Sequence, residues 1–115
     1  MMNQTLKDTI NALKTASDET GKAIWGALAE ELNKPKRRRV AVNLSRIDRH
    51  ASEGEVVAVP GKVLAAGSLS KPLKVAAFSF SDAALKKIEM AKGEAMTLTG
   101  LLDAGVEPSK IRIMK

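Results

Sequence analysis

The sequence predicts a small α/β domain in which two helices precede a mixture of short strands and helices. Apolar residues recur at helical spacing twice before residue 33. Short, continuous runs rich in Val and Ala then appear at 56–59, 63–66 and 75–80, the pattern of strands buried on both faces. Helical spacing returns between and after those runs. A chain of 115 residues lies near the usual domain size, so residues 1–115 are expected to share one core.

Thr5-Leu6-Lys7-Asp8 has the form of a capping box, and Leu6, Ile10 and Leu13 mark one face of a first helix ending near Ser17. A second helix begins near Thr20 or Lys22. Its apolar positions are Ile24, Trp25, Leu28 and Leu32, and Lys34-Pro35 ends it. Val40-Ala41-Val42 reads as a short strand. Asn43 suits the N-cap of a third helix from Leu44 to about Ser52, closed by Gly54. On that helix Leu44, Ile47 and Ala51 share one face while Arg46, Arg49 and His50 share the other, so it packs inward and holds cations outward. Asp48 falls near the apolar side with no evident partner.

Val56-Val57-Ala58-Val59 is expected to be a strand, Pro60-Gly61 suits a type II turn that either closes a tight hairpin or re-aims the chain before the Gly67-Ser68 loop, and Val63-Leu64-Ala65-Ala66 is a second short run. Val75 to Phe80 reads as another strand. Ser81 caps a helix whose Leu85 and Ile88 face inward until Gly93, and Thr97 to Ala104 form a short helix. Lys110-Ile111-Arg112-Ile113-Met114-Lys115 alternates like a half-exposed strand with its cations outside.

Charge is concentrated. Residues 34–50 hold seven Lys or Arg against Asp48 alone, a local +6 that equals the net charge of the whole chain. The run Lys34-Pro35-Lys36-Arg37-Arg38-Arg39 packs five cations into six residues around a proline that interrupts any regular helix, so a polyanion is the expected partner. Phosphate contacts of this kind give strong, salt-sensitive affinity without base specificity. Aromatic residues are limited to Trp25, Phe78 and Phe80, which counts against single-strand recognition by base stacking. At helical spacing with Leu28 and Leu32, Trp25 is expected to anchor the core.

Other chemistries lack their residues. Zero Cys excludes disulfides and thiolate metal sites, and a single His leaves no hydrolytic metal cluster. Ser45 has no nucleophile elbow, and Ser81-Asp82 has no adjacent histidine signature. Gly61-Lys62 lacks the upstream glycine of a phosphate loop. Glu53 and Glu55 around Gly54 read as solvated acids. No apolar run approaches the roughly 18 residues of a membrane span, so a soluble, cytoplasmic protein is expected, with no membrane partner and no small-molecule substrate.

Four blocks carry a family resemblance: Val42-Asn43-Leu44-Ser45-Arg46-Ile47, Val59-Pro60-Gly61-Lys62-Val63-Leu64, Lys71-Pro72, and Val75 to Ser81. With the Ala23-Ile24-Trp25 helix and the basic run, they closely resemble the archaeal large-subunit ribosomal protein eighteen-e, over nearly the whole chain. The resemblance implies a structural, non-enzymatic protein without a cofactor. Its implied partners are large-subunit ribosomal RNA and neighbouring large-subunit ribosomal proteins, and its implied core is an irregular superhelix of strand, strand and helix units related to bacterial large-subunit protein fifteen. Ala65-Ala66 departs from the Gly-Ser-like pair of many members, implying a less flexible loop. Met1 to Gln4 are uncharged, so no basic tail is expected there.

The expected RNA contacts follow from what surrounds each cation. Arg37, Arg38 and Arg39 would grip phosphates with bidentate forks, Lys34 and Lys36 would act as point charges, and Arg46 and Arg49 would add contacts from a helix. Lys62, Lys71 and Lys74 sit beside prolines where backbone could approach the sugar-phosphate chain. Two other readings stay open: a free basic nucleic-acid-binding regulator, and a small hydrolase.

Overall fold

The computed structural model describes residues 5–35 and 40–115. Helix α1 (Leu6–Thr20) starts where Thr5 Oγ1 accepts the Asp8 N–H at 3.2 Å, as its capping box requires. It runs three residues beyond the expected Ser17. Thr20 stays helical by donating its hydroxyl to the Ala16 carbonyl, and the stop comes from Gly21 in the left-handed region. Helix α2 (Ala23–Leu32) buries Trp25, Leu28, Ala29 and Leu32 against α1.

Strand β1 (Val40–Asn43) leads directly into α3 (Leu44–His50). Asn43 occupies the N-cap position, but its carboxamide oxygen accepts the Ala66 N–H at 3.2 Å, while the Ser45 N–H donates to the Ala66 carbonyl at 3.0 Å. The start of α3 is thus satisfied by the 65–67 loop and not by its own cap side chain. The helix also stops at His50, short of the expected Ser52. Residues 52–55 close a competing turn in which the Glu55 carboxylate accepts the Ser52 N–H at 2.8 Å.

The largest correction concerns Pro60-Gly61. No turn forms there: β2 is one strand, Val56–Leu64, and Val63 and Leu64 belong to it while Ala65 and Ala66 do not. Three steps on β2 (Val59 to Lys62) oppose two on β3 (Ala77 to Ser79), so one extra residue makes a bulge. Pro60 has no N–H to donate, and none of the neighbouring strands pairs with it. Gly61 lies against β1 so closely that an added Cβ would stand 1.9 Å from the Val40 carbonyl oxygen. Pro and Gly serve a bulge here by the same properties that serve a turn elsewhere.

The remaining elements are β3 (Lys74–Phe80), α4 (Asp82–Met90), β4 (Glu94–Thr97), α5 (Leu98–Asp103), a single 3-10 turn at Pro108–Lys110, and β5 (Ile111–Ile113). Ser81 and Thr97 cap α4 and α5 through their hydroxyls, as their positions suggest. Strand β4 was not anticipated. In α4 the buried positions are Ala84 and Ile88, whereas Leu85 is only partly covered.

All the strands pair in parallel, in the order β1-β2-β3-β4, with β5 also beside β2. Successive strands advance across the sheet through α3, the 65–73 loop and α4, which gives the strand-and-helix path expected. Val57, Val59, Val63, Val75 and Ala77 pack under α3 and α4. Val56, Ala58 and Ala76 face α1, α2 and α5. Both faces are covered, which is why these strands read as continuous apolar runs.

The edge of β2 is shared. Strand β5 pairs with Val56 to Ala58 and β1 pairs with Gly61 to Leu64, leaving the handover at Val59-Pro60. Gly61→Ala should therefore lower stability near the upper end of the ~1–3 kcal/mol range of overpacking, read as a shift in urea midpoint. Trp25, 5% exposed, should cost about 3–5 kcal/mol on truncation to Ala in the same assay.

Candidate nucleic-acid interface

Lys36, Arg37, Arg38 and Arg39 lie outside the described residues. Lys34, just past α2, pairs with Glu31 at 2.9 Å. Glu31 also receives Lys115 at 2.7 Å and has a side chain only 11% exposed, so one carboxylate at the end of α2 gathers lysines from both sides of the sequence. Hydrogen bonds from Lys115, then Lys34, hold the Glu31 carboxyl below its ordinary value.

Arg46, Arg49 and His50 are exposed on α3, the latter two about one helical turn beyond Arg46, while Leu44 and Ile47 are buried beneath. None of the three exposed side chains makes a hydrogen bond or ion pair with a described residue. Their helix is braced by Asp48, whose carboxylate accepts the Ser70 N–H at 2.8 Å and the Ser70 hydroxyl at 2.9 Å. These bonds, the backbone one foremost, depress the Asp48 pKa. Lys71 is drawn into the same junction, donating to the Asp48 carbonyl at 2.8 Å and lying 3.9 Å from its carboxylate. Its ammonium is therefore engaged within the fold.

Lys62 is exposed on β2 beside Ala41 and Ser79, toward the C-terminal ends of the strands. Lys74 begins β3 at the opposite end of the sheet, next to Glu94 of β4 and near Lys110. Lys62 and Lys74 thus lie toward opposite ends of the sheet, while Lys71 sits against α3. The 65–67 loop is held in place as well: Lys87 of α4 donates to the Ala65 carbonyl at 2.8 Å and the Gly67 carbonyl at 2.7 Å. Gly67 has a φ of +83°, and a Cβ there would meet Ser45 Cβ at 2.5 Å.

A grouping not anticipated from sequence involves the last strand. Arg112 pairs in register with Val57 and so shares the face covered by α3. Arg112 and Lys115 meet Arg46 and His50 around a cleft of about 230 Å³ floored by Met114, which is 5% exposed. Arg112 Nε pairs with Glu55 at 3.2 Å, and Glu55 is itself held below its ordinary pKa, chiefly by the Ser52 N–H. The alternation of residues 110–113 puts Lys110 and Arg112 on one side of a strand; only the parallel register with Val57 brings Arg112 to the face covered by α3. Among the described residues no group of three His, Asp or Glu is arranged to hold a metal ion.

Comparison with known proteins fits this frame. Residues 41–96, from β1 into β4, match the family described as ribosomal proteins 50S-L15, 50S-L18e and 60S-L27A. Over 113 residues, 98% of this chain and 97% of the relative, the sequence is 44% identical to large ribosomal subunit protein eL18 of Haloarcula marismortui. The chain belongs to this family. The eL18 protein of Methanococcus maripaludis is 44% identical over 97% of this chain and 93% of its own, and that of Methanothermobacter thermautotrophicus is 42% identical over 98% and 93%. Within the L15, L18e and L27A match lie α3 with Arg46 and Arg49, the bulge, and the braced 65–67 loop. The basic run precedes it, and Arg112 and Lys115 follow it.

The depressed carboxylates give a pH prediction. Because the folded state favours ionised Glu31 and Asp48, their contribution is fully present above the ordinary values of 4.5 and 3.8 and is lost as pH falls through the lower folded values. Stability followed by circular dichroism should decline below about pH 4.5. Glu31→Gln should be less stable at neutral pH and show a shallower decline; an unchanged acid limb would refute the role given to Glu31.

Proposed function

We propose that this chain is a structural constituent of the large ribosomal subunit in the cytoplasm, binding and bracing large-subunit ribosomal RNA through phosphate contacts. The observation that carries this reading is 42–44% identity to large ribosomal subunit proteins eL18 across nearly the full length of both sequences. The whole chain, residues 1–115, acts as one RNA-binding domain without catalytic chemistry, and its other partners are adjacent ribosomal proteins.

Lys34, Lys36, Arg37, Arg38 and Arg39 form the main phosphate grip, with Arg46 and Arg49 presented from α3. The exposure of Arg46 and Arg49, and their lack of partners among the described residues, supports this assignment. Lys62 and Lys74 add contacts at separate ends of the sheet. Lys71 contributes chiefly by fixing α3 to the loop before β3. Folded RNA recognised in this way is read by shape and backbone, and the protein's cations offset repulsion between RNA segments.

Sedimentation of cell extract at moderate and then high salt, with the protein located by mass spectrometry, tests the assignment. Co-migration with the large subunit that survives the salt wash is expected; recovery only at the top of the gradient under both conditions would defeat it. Replacing Arg37, Arg38 and Arg39 together by Ala should weaken binding to archaeal large-subunit ribosomal RNA. It should also flatten the salt dependence by about 0.9 in log K against log salt per lost phosphate, leaving the melting temperature nearly unchanged.

A further inference from the structure

We infer that the cleft between α3 and the C-terminal strand is a phosphate-binding site, lined by Arg46, His50, Arg112 and Lys115, which takes a backbone phosphate of RNA. This rests on the RNA-binding reading above and adds a second anchor, built by the fold and separate from the basic run in sequence.

The cleft has features of a prepared anion site. Two arginines, a lysine and a histidine line a space of about 230 Å³, smaller than the roughly 300–1,000 Å³ of typical small-molecule pockets and suited to a compact oxyanion. Arg46 and His50 stand four residues apart on one helical face, so both project from α3 toward the same space. Neither has a partner among the described residues, and their donors are available to a ligand. Arg112 uses only Nε on Glu55, leaving its two terminal nitrogens for a bidentate contact. Lys115 is steadied by Glu31, which is already paired with Lys34, so the side chains of these three residues together keep a net positive charge.

The two acids therefore act as positioning residues behind the cations, and they stand outside the cleft lining. Met114, buried beneath the four exposed side chains, contributes an apolar surface to the cleft and ties it to the core under α3. Glu31 also links the two anchors in space. Lys34, the first residue of the basic run, and Lys115, in the cleft, bind the same carboxylate at 2.9 and 2.7 Å. A strand whose phosphate fills the cleft thus passes beside the start of the run.

The test combines a small probe with the full ligand. Inorganic phosphate titrated into isotopically labelled protein should shift the side-chain resonances of Arg46, Arg112 and His50, and Arg46→Gln should abolish or strongly reduce those shifts. Arg46 has no acidic partner among the described residues, so its replacement leaves no carboxylate orphaned and folding is preserved; Arg112→Gln with Lys115→Gln supplies a second variant. Binding to archaeal large-subunit ribosomal RNA should lose about one unit of salt slope in each cleft variant. Lys14→Gln, which removes a charge on α1 away from the cleft, should leave the phosphate shifts intact. Absent phosphate shifts in the wild type, or RNA affinity and salt slope unchanged in the cleft variants, would overturn the site. Phosphate shifts without any binding of ribosomal RNA would sink the ribosomal reading and leave the anion site standing.

Discussion

The shared edge of β2 is the constraint on which the rest of the molecule depends. One strand accepts two parallel neighbours end to end, β5 along Val56 to Ala58 and β1 along Gly61 to Leu64. The arrangement works only if the backbone between them makes no demand for a hydrogen-bond partner. Pro60 meets that condition by lacking a donor, and Gly61 meets the steric one by lacking a Cβ where the Val40 carbonyl approaches. From this seam follow the placement of α3 after β1, of β5 under the edge of α3, and of two distant stretches of basic sequence side by side.

Acids perform the fine positioning. Glu31, Asp48 and Glu55 each hold a cation while also tying together segments that are distant in sequence or fixing a turn. Exposed pairs of this type contribute little stability individually. Their effect is better seen as a restriction on where cations point: Lys34, Lys71, Arg112 and Lys115 are each held by one of these acids, whereas Arg46, Arg49 and His50 are exposed and bond no described residue.

Much of the fold is legible locally because its signals are local. Thr5 and Ser81 announce helix starts by hydroxyl capping, and the Val-Ala runs announce strands enclosed on both faces. Strand β4 escapes notice because Glu94-Ala95-Met96-Thr97 has no continuous apolar run and owes its conformation to pairing with β3. Pro60-Gly61 misleads because turn and bulge use the same residue chemistry, and only neighbours far along the chain distinguish them. The outward face of α3 is readable from helical spacing, whereas the partner of Asp48 lies 22 residues away and the approach of Arg112 to Arg46 depends on β-sheet register.

That register has a consequence for what the molecule needs in order to be whole. Val56 pairs with Ile111, fifty-five residues later, so this edge position of the sheet closes through a long-range contact. Arg112 and Lys115 reach α3 only with that closure. A chain without residues 111–115 would keep Arg46 and His50 but not the cleft that they line together with Arg112 and Lys115, so that cleft exists only on the whole fold.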